Sequence, residues 1–373
     1  MKNVFDETIL NGMILKNRLV RSATWEGMAD AQGRPTEKLA EYNASLAQGG
    51  VGLIITGYTF IRPDGKQLPG QMGIHTDDFY QDLRAMADAV HREGGKICLQ
   101  LVHCGGQAST QSAGRRPLAP SAVKVDQYPE TPVELTEGEI HELIGACGDG
   151  ARRAMGAGFD AVQLHAAHGY LINQFLSPLT NRRTDGWGGD IAGRSRFLLE
   201  CYRSVRSAVG ENYPVLVKLN GSDNLPGGLT PEDALYAAQA LAAEGVDALE
   251  ISSGTPASGG ETPVRQQIDT PEREAYNLSL AENIKNGVAC PVMVVGGIRS
   301  LPVAEGIILR GAADYVALAR PLIREPDLPL RWQKGDDGPA RCISCNGCFK
   351  PGLKGGIKCV IDAIEREAKY VSL

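Results

Sequence analysis

Short apolar runs recur along the chain, each followed by a segment whose apolar positions are spaced for one face of a helix. The runs cover 19–24, 51–57, 96–102, 161–165, 215–219, 248–252, 292–295 and 315–318. They are rich in β-branched residues and almost unbroken in apolarity, the pattern of parallel strands covered on both faces. The segments between them carry helix start signals. Thr136 with Glu139 forms a capping-box pattern, and Thr230-Pro231-Glu232-Asp233 supplies an N-cap, a first-turn proline and early acids. Segments 78–93, 195–209 and 302–310 also suit helices. Eight strand–helix alternations over about 330 residues predict an α/β fold, a closed (β/α)₈ TIM barrel. A doubly wound open sheet is the alternative, but no G-x-G-x-x-G follows the first run.

Two connectors are too long and too rich in Gly, Pro and Ser to be simple links: 103–135 and 253–277. Both follow a strand, after strands 3 and 6, and so are expected on the C-terminal face as substrate-side loops. Residues 1–335 are read as the barrel and 336–373 as a short cysteine-rich extension.

Composition narrows the class. The 373 residues are 43% hydrophobic and 22% charged, enough for a sizeable core. Acids outnumber Lys and Arg by 44 to 38, a net charge of −6. That balance excludes a uniformly basic surface for nucleic acid or an anionic membrane. The longest apolar runs fall far short of the roughly 20 residues a membrane helix needs. Met1–Asp6 has no apolar signal-peptide core, so a cytoplasmic location is expected. With nine cysteines in such a compartment, clustered thiols are read as metal ligands before disulfides.

The densest chemistry lies in 158–189, GFDAVQLHAAHGYLINQFLSPLTNRRTDGWGG. His165, His168 and Tyr170 fall at or just beyond the end of the fourth strand, where side chains project into a barrel mouth. Two imidazoles can hold a carbonyl or phenolate oxygen between N–H donors, and a phenol can deliver a proton to carbon. Gln100 and Lys218 are polar residues inside apolar runs, and the Gln100 amide offers both a donor and an acceptor. Gly296-Gly297-Ile298-Arg299 follows strand seven and Ala319-Arg320-Pro321 follows strand eight. Phosphate in a barrel commonly binds at those two loops.

This stretch resembles the signature of the old yellow enzyme family of NADH:flavin oxidoreductases, H-A-A-H-G-Y-L-x-x-Q-F-L-S-P-x-x-N-x-R-x-D-x-x-G-G. The resemblance implies an FMN-dependent enzyme that uses NAD(P)H to reduce the C=C bond of α,β-unsaturated carbonyl compounds. It implies that His165 and His168 grip the oxygen of the activated alkene and that Tyr170 donates the proton. It places Ala23 and Thr24 beside the flavin ring, with Trp25 where many relatives carry Thr or Cys. Gly57 would be small so as not to collide with the isoalloxazine. Gln100 would meet the pyrimidine edge and Lys218 would supply a cation near N1–C2=O. Gly297, Arg299, Ala319 and Arg320 would hold the phosphate.

The tail reads RCISCNGCFKPGLKGGIKC, with Cys342, Cys345, Cys348 and Cys359 within eighteen residues. C-x₂-C-x₂-C plus a fourth cysteine is iron–sulfur spacing. It resembles the 4Fe-4S segment of the trimethylamine dehydrogenase and 2,4-dienoyl-CoA reductase branch, with a slightly shorter last gap. A zinc site and unliganded thiols stay open. A flavin dehydrogenase or demethylase passing electrons through such a cluster is the alternative enzyme. A non-enzymatic electron-transfer subunit is the alternative of another class. The expected partners are a small activated alkene and a nicotinamide cofactor, with no nucleic acid and no membrane; whether the chain forms a homo-oligomer is left open.

Overall fold

The computed structural model describes residues 2–362 and 364–365. Eight parallel strands form a ring: β1 (Leu19–Arg21), β2 (Leu53–Ile55), β3 (Ile97–Val102), β4 (Ala161–Ala166), β5 (Val215–Asn220), β6 (Ala248–Ser252), β7 (Val292–Val295) and β8 (Tyr315–Leu318). Each pairs with the next, and β8 returns to β1 through Val316 opposite Leu19, so the sheet is closed. A doubly wound sheet would leave two edges. The predicted barrel is correct.

One main helix follows each of the first seven strands: α1 (Glu37–Gln48), α2 (Tyr80–Arg92), α3 (Glu137–Gly156), α4 (Ile191–Val209), α5 (Pro231–Ala243), α6 (Leu278–Gly287) and α7 (Leu301–Leu309). Two short helices follow β8: α8 (Arg320–Arg324) and α9 (Leu328–Gln333). The start signals act as read. Thr136 accepts the Glu139 N–H at 3.2 Å while the Glu139 carboxylate accepts the Thr136 N–H at 3.0 Å. Thr230 accepts the Asp233 N–H at 3.2 Å ahead of Pro231. Helix α4 begins earlier than expected because Asp190 caps it, accepting the Gly193 N–H at 3.0 Å.

Strand alternation explains the unbroken apolar runs. Outward residues such as Leu19, Ile54, Leu99, Val162 and Val217 pack beneath the helices in the main core. Inward residues Val20, Leu53, Cys98, Ala161, Leu216, Ala248, Met293 and Tyr315 fill the barrel's lower half. Leu10, Met13 and Leu15 join them from a hairpin, Thr8–Leu10 with Met13–Leu15. Its two-residue turn, Asn11-Gly12, takes left-handed φ values of 42° and 77°. This plug stops the N-terminal end, which leaves the C-terminal end as the only open mouth among the described residues.

The segment after β3 corrects one expectation. Residues 103–135 contribute nothing to the wall of the main cavity. They fold outward as a short helix (Thr110–Ala113) and a two-strand pairing, Leu118–Ala119 with Val133–Glu134. Arg183 fastens them by donating to the carbonyls of Pro120 and Leu135 at 3.0 and 2.7 Å. Tyr58 and Leu68, from the loop after β2, take that place in the wall. The other long connector does serve the mouth, through Pro256, Thr262, Pro263, Val264 and Tyr276.

The tail folds back across the rim. Ala340 N–H donates to Arg299 O at 2.7 Å, and Ile357 N–H donates to Glu26 O at 2.8 Å. Among the described residues no helix is long and apolar enough to cross a membrane.

Candidate active site

Eleven of the twelve barrel residues singled out from the sequence line one cavity of about 440 Å³ at the C-terminal mouth: Ala23, Thr24, Gln100, His165, His168, Tyr170, Lys218, Gly297, Arg299, Ala319 and Arg320. Gly57 is the exception, and its expected reason is corrected. A Cβ there would meet Glu26 Oε2 at 2.0 Å, within the protein itself and outside the cavity wall. Glu26 is buried against Arg21 at 2.9 Å and accepts the Gly57 N–H at 2.8 Å. Gly57 is therefore small to admit a buried ion pair that ties β1 to β2.

The turn after β4 aims the histidine–tyrosine group. His168 and Gly169 are consecutive left-handed residues, φ 62° and 75°, so the chain reverses and returns His168 over the mouth. A left-handed non-glycine residue costs of order 1–2 kcal/mol, so it needs support. Asn220 Oδ1 accepts the His168 N–H at 3.2 Å, and Gln107 Nε2 donates to the His168 carbonyl at 2.8 Å. The Gly169 N–H donates to Asn173 Oδ1 at 2.5 Å. The rings then meet edge to face: His165 with His168 at 5.1 Å between centroids, His165 with Tyr170 at 4.8 Å.

Hydrogen bonds set what each ring offers. The Ala167 N–H donates to His165 Nδ1 at 3.3 Å, which makes Nδ1 the acceptor and leaves Nε2–H to face the cavity. His168 Nε2 lies 2.7 Å from Ser252 Oγ at the end of β6. Burial holds both imidazoles well below the usual histidine range, His168 and Lys218 lowering His165 further and Lys218 lowering His168. Both are neutral donors at ordinary pH. Burial pushes the Tyr170 phenol up, so it keeps its proton. Gln67 Oε1 accepts from both Tyr170 and Tyr58, at 3.2 and 3.1 Å, and the two phenol rings stack at 5.3 Å. Tyr58, Gln67 and Ser252 escaped the sequence reading because each sits singly in a loop or at a strand end, without motif spacing.

Depressed histidines carry a pH signature. Below about pH 6.5 the unfolded chain binds protons that the folded rings refuse, so stability falls as pH falls. The slope should reach up to about 1.4 kcal/mol per pH unit for each ring. Denaturant midpoints compared at pH 7 and 5.5 should show this loss, and a His165→Asn/His168→Asn protein should lose much of it. An unchanged acid slope in the double variant would show that the rings titrate normally.

Deeper in the mouth lies a buried polar layer. Lys218 Nζ donates to Glu250 Oε1 at 3.0 Å and to Ser22 Oγ at 2.7 Å. Gln163 Nε2 donates to Glu250 Oε2 at 2.9 Å, and Gln100 Nε2 donates to Gln163 Oε1 at 2.7 Å. Gln100 Oε1 is buried without a partner. The cation expected at Lys218 is thus paired with a carboxylate that is fully buried. Glu250 was missed, although an acid inside the apolar run ALEIS was a readable signal.

At the opposite wall, Arg299 donates through its two Nη atoms to the carbonyls of Ile268 and Ala340, at 3.0 and 2.8 Å, but its buried Nε–H has no partner. Arg320 reaches Asn346 Oδ1 at 2.6 Å and so bridges the cavity to the tail. Ser344 and Phe349 of the tail help line the cavity. An orphaned acceptor at one end and an orphaned cationic donor at the other fit the pyrimidine and phosphate ends of FMN. Cys342, Cys345, Cys348 and Cys359 border a separate small cavity behind Arg320. Among the described residues no three His, Cys, Asp or Glu side chains are grouped so as to hold a metal ion.

Comparison with known proteins identifies the family. The NADH:flavin oxidoreductase / NADH oxidase family model matches residues 4–337. A Thermoanaerobacter brockii NADH oxidase is 39% identical over 356 residues, covering 93% of this chain and 53% of that protein. A Clostridium acetobutylicum NADPH dehydrogenase is 36% identical over 324 residues, covering 87% of this chain and 92% of that protein. Among solved structures, a 2-naphthoyl-CoA reductase superposes with a TM-score of 0.88 at 30% identity, over 96% of this chain and 56% of that one. The old yellow enzyme homologue from Zymomonas mobilis gives 0.78 at 28% identity, over 91% and 94%. The chain thus spans about half the length of its T. brockii relative. It belongs to the NADH:flavin oxidoreductase / NADH oxidase family, and its barrel is of the old yellow enzyme type.

Proposed function

We propose that the chain is an ene-reductase: it uses NAD(P)H to reduce the C=C bond of an α,β-unsaturated carbonyl compound. One observation carries this reading. Two neutral imidazoles and a protonated phenol face one cavity beside the orphaned Gln100 acceptor.

FMN, when bound and reduced, supplies hydride. Gln100, Lys218, Ala23 and Thr24 would hold its ring, and Gly297, Arg299, Ala319 and Arg320 its phosphate. The side chains divide the remaining work. His165 donates its Nε2–H to the carbonyl oxygen. His168 turns its imidazole from Ser252 to the same oxygen and supplies the second donor. Together they draw electron density off the β-carbon and stabilise charge developing on oxygen. Tyr170 gives its proton to the α-carbon, completing addition of two hydrogens across the double bond. Phenols present a similar oxygen to the same donors. Titration with p-hydroxybenzaldehyde should therefore produce a long-wavelength charge-transfer band with the flavin; no band at saturation would contradict the two-donor grip.

The spacing of Cys342, Cys345, Cys348 and Cys359 motivates a second role, a 4Fe-4S cluster that would exchange electrons with the flavin, for which the described side chains would have to draw together. All four border one small cavity, and because burial pushes the Cys342 and Cys348 thiols up, a cluster would have to displace their protons as it binds. Anaerobically purified protein should contain about four iron and four sulfide per chain. Zinc, or neither metal, would remove that role and leave the flavin site as argued.

A further inference from the structure

We propose that Glu250 is a positioning residue that fixes which end of the Gln100 amide faces the cavity, and so makes the site select an N–H donor on its ligand. The inference rests on the placement of the FMN pyrimidine edge against Gln100.

Hydrogen-bond polarity is relayed through the buried layer. An ionised carboxylate can only accept. On one side Glu250 Oε1 accepts from Lys218 Nζ at 3.0 Å and from Ser22 Oγ at 2.5 Å. On the other, Glu250 Oε2 must also accept, so Gln163 presents its NH₂ at 2.9 Å. That orientation leaves Gln163 Oε1 to accept from Gln100 Nε2 at 2.7 Å. The Gln100 amide is consequently turned with its oxygen outward, buried and unpartnered at the cavity wall. Lys218 has three N–H donors and spends two within the layer. The cavity floor therefore offers one acceptor and one donor, the complement of a cyclic imide's N–H and carbonyl. In the flavin these are N3–H and C2=O. All five side chains are buried to within 2% of full, so water cannot rescue an inverted chain.

The same bonds predict what Glu250→Gln does. Lys218 and Ser22 still need an acceptor, so they hold the new amide oxygen on their side. Its NH₂ must then face Gln163, which turns over, and Gln100 turns over in consequence. Gln100 would now point N–H at the flavin N3–H, donor against donor. Glu250→Asp stays acceptor-only and keeps the original polarity.

The test uses purified protein, FMN titration and spectrophotometric pH titration of the bound flavin N3–H. In the native protein, N3–H donates to Gln100 and should lose its proton at higher pH than in free FMN. In Glu250→Gln that order should reverse, to lower pH than free FMN, with FMN affinity weakened about tenfold or more. Glu250→Asp should keep the native order. A mere packing defect would weaken binding without reversing the order. If Glu250→Gln does not fold, Gln163→Met cuts the chain and should bring the N3 titration toward that of free FMN. A well-folded Glu250→Gln, or in its absence Gln163→Met, with the native titration would overturn the proposal. A native protein whose N3 titrates like free FMN would instead overturn the placement of FMN against Gln100.

Discussion

Replacing Tyr170 by Phe should slow reoxidation of the reduced protein by a simple enone about 10²–10⁴-fold, the range for a lost general acid. FMN content and reduction by NAD(P)H should stay near normal. The substitution removes only the hydroxyl, so the ring keeps its stack on Tyr58 at 5.3 Å and its edge contact with His165 at 4.8 Å. Gln67 still has the Tyr58 hydroxyl at 3.1 Å as donor, so little else should move. Reoxidation by O₂ needs no proton at carbon and should persist, which separates a lost acid from a damaged flavin. Rapid-mixing absorbance with the enone and then with O₂ checks both. A Phe variant that reduces enones at the native rate would assign the proton to water or to another residue.

His165→Ala and His168→Ala should each slow the enone half-reaction by about 10²-fold or more, the cost of one lost oxyanion donor. Reduction by nicotinamide should suffer less, because no oxygen has to be held. The double variant should also lose the p-hydroxybenzaldehyde band. Because Ala167 N–H fixes the His165 tautomer, His165→Gln, which keeps a donor but not its fixed aim, should recover only part of the rate. An unchanged phenol band in the double variant would contradict the grip.

Much of this architecture was legible because it rests on local pattern. Runs of inward and outward apolar residues mark strands 248–252, 292–295 and 315–318 to the residue. Thr136, Glu139, Thr230 and Pro231 announce their helices through side chains that reach only three residues. The floor hairpin was not legible as a plug, since its role exists only once Leu10, Met13 and Leu15 meet all eight strands. Among site residues, His165, His168 and Tyr170 share one turn and could be read together. Glu250 meets Lys218 from a neighbouring strand and Ser22 from across the chain, and only the closed barrel makes them a set. Gly57 shows the opposite error. Its smallness was assigned to a ligand, whereas Glu26, thirty-one residues earlier, occupies the space.

Delivery of hydride and proton from one FMN-binding mouth to an activated alkene is tested most directly by a single turnover. Anaerobic protein, reconstituted with FMN and reduced with one equivalent of NAD(P)H, should be mixed with 2-cyclohexenone while the flavin absorbance is followed. Full return of the oxidised flavin spectrum is expected, with one saturated ketone formed per flavin. Flavin that stays reduced in the presence of the enone, or a protein that takes up no FMN, would contradict it.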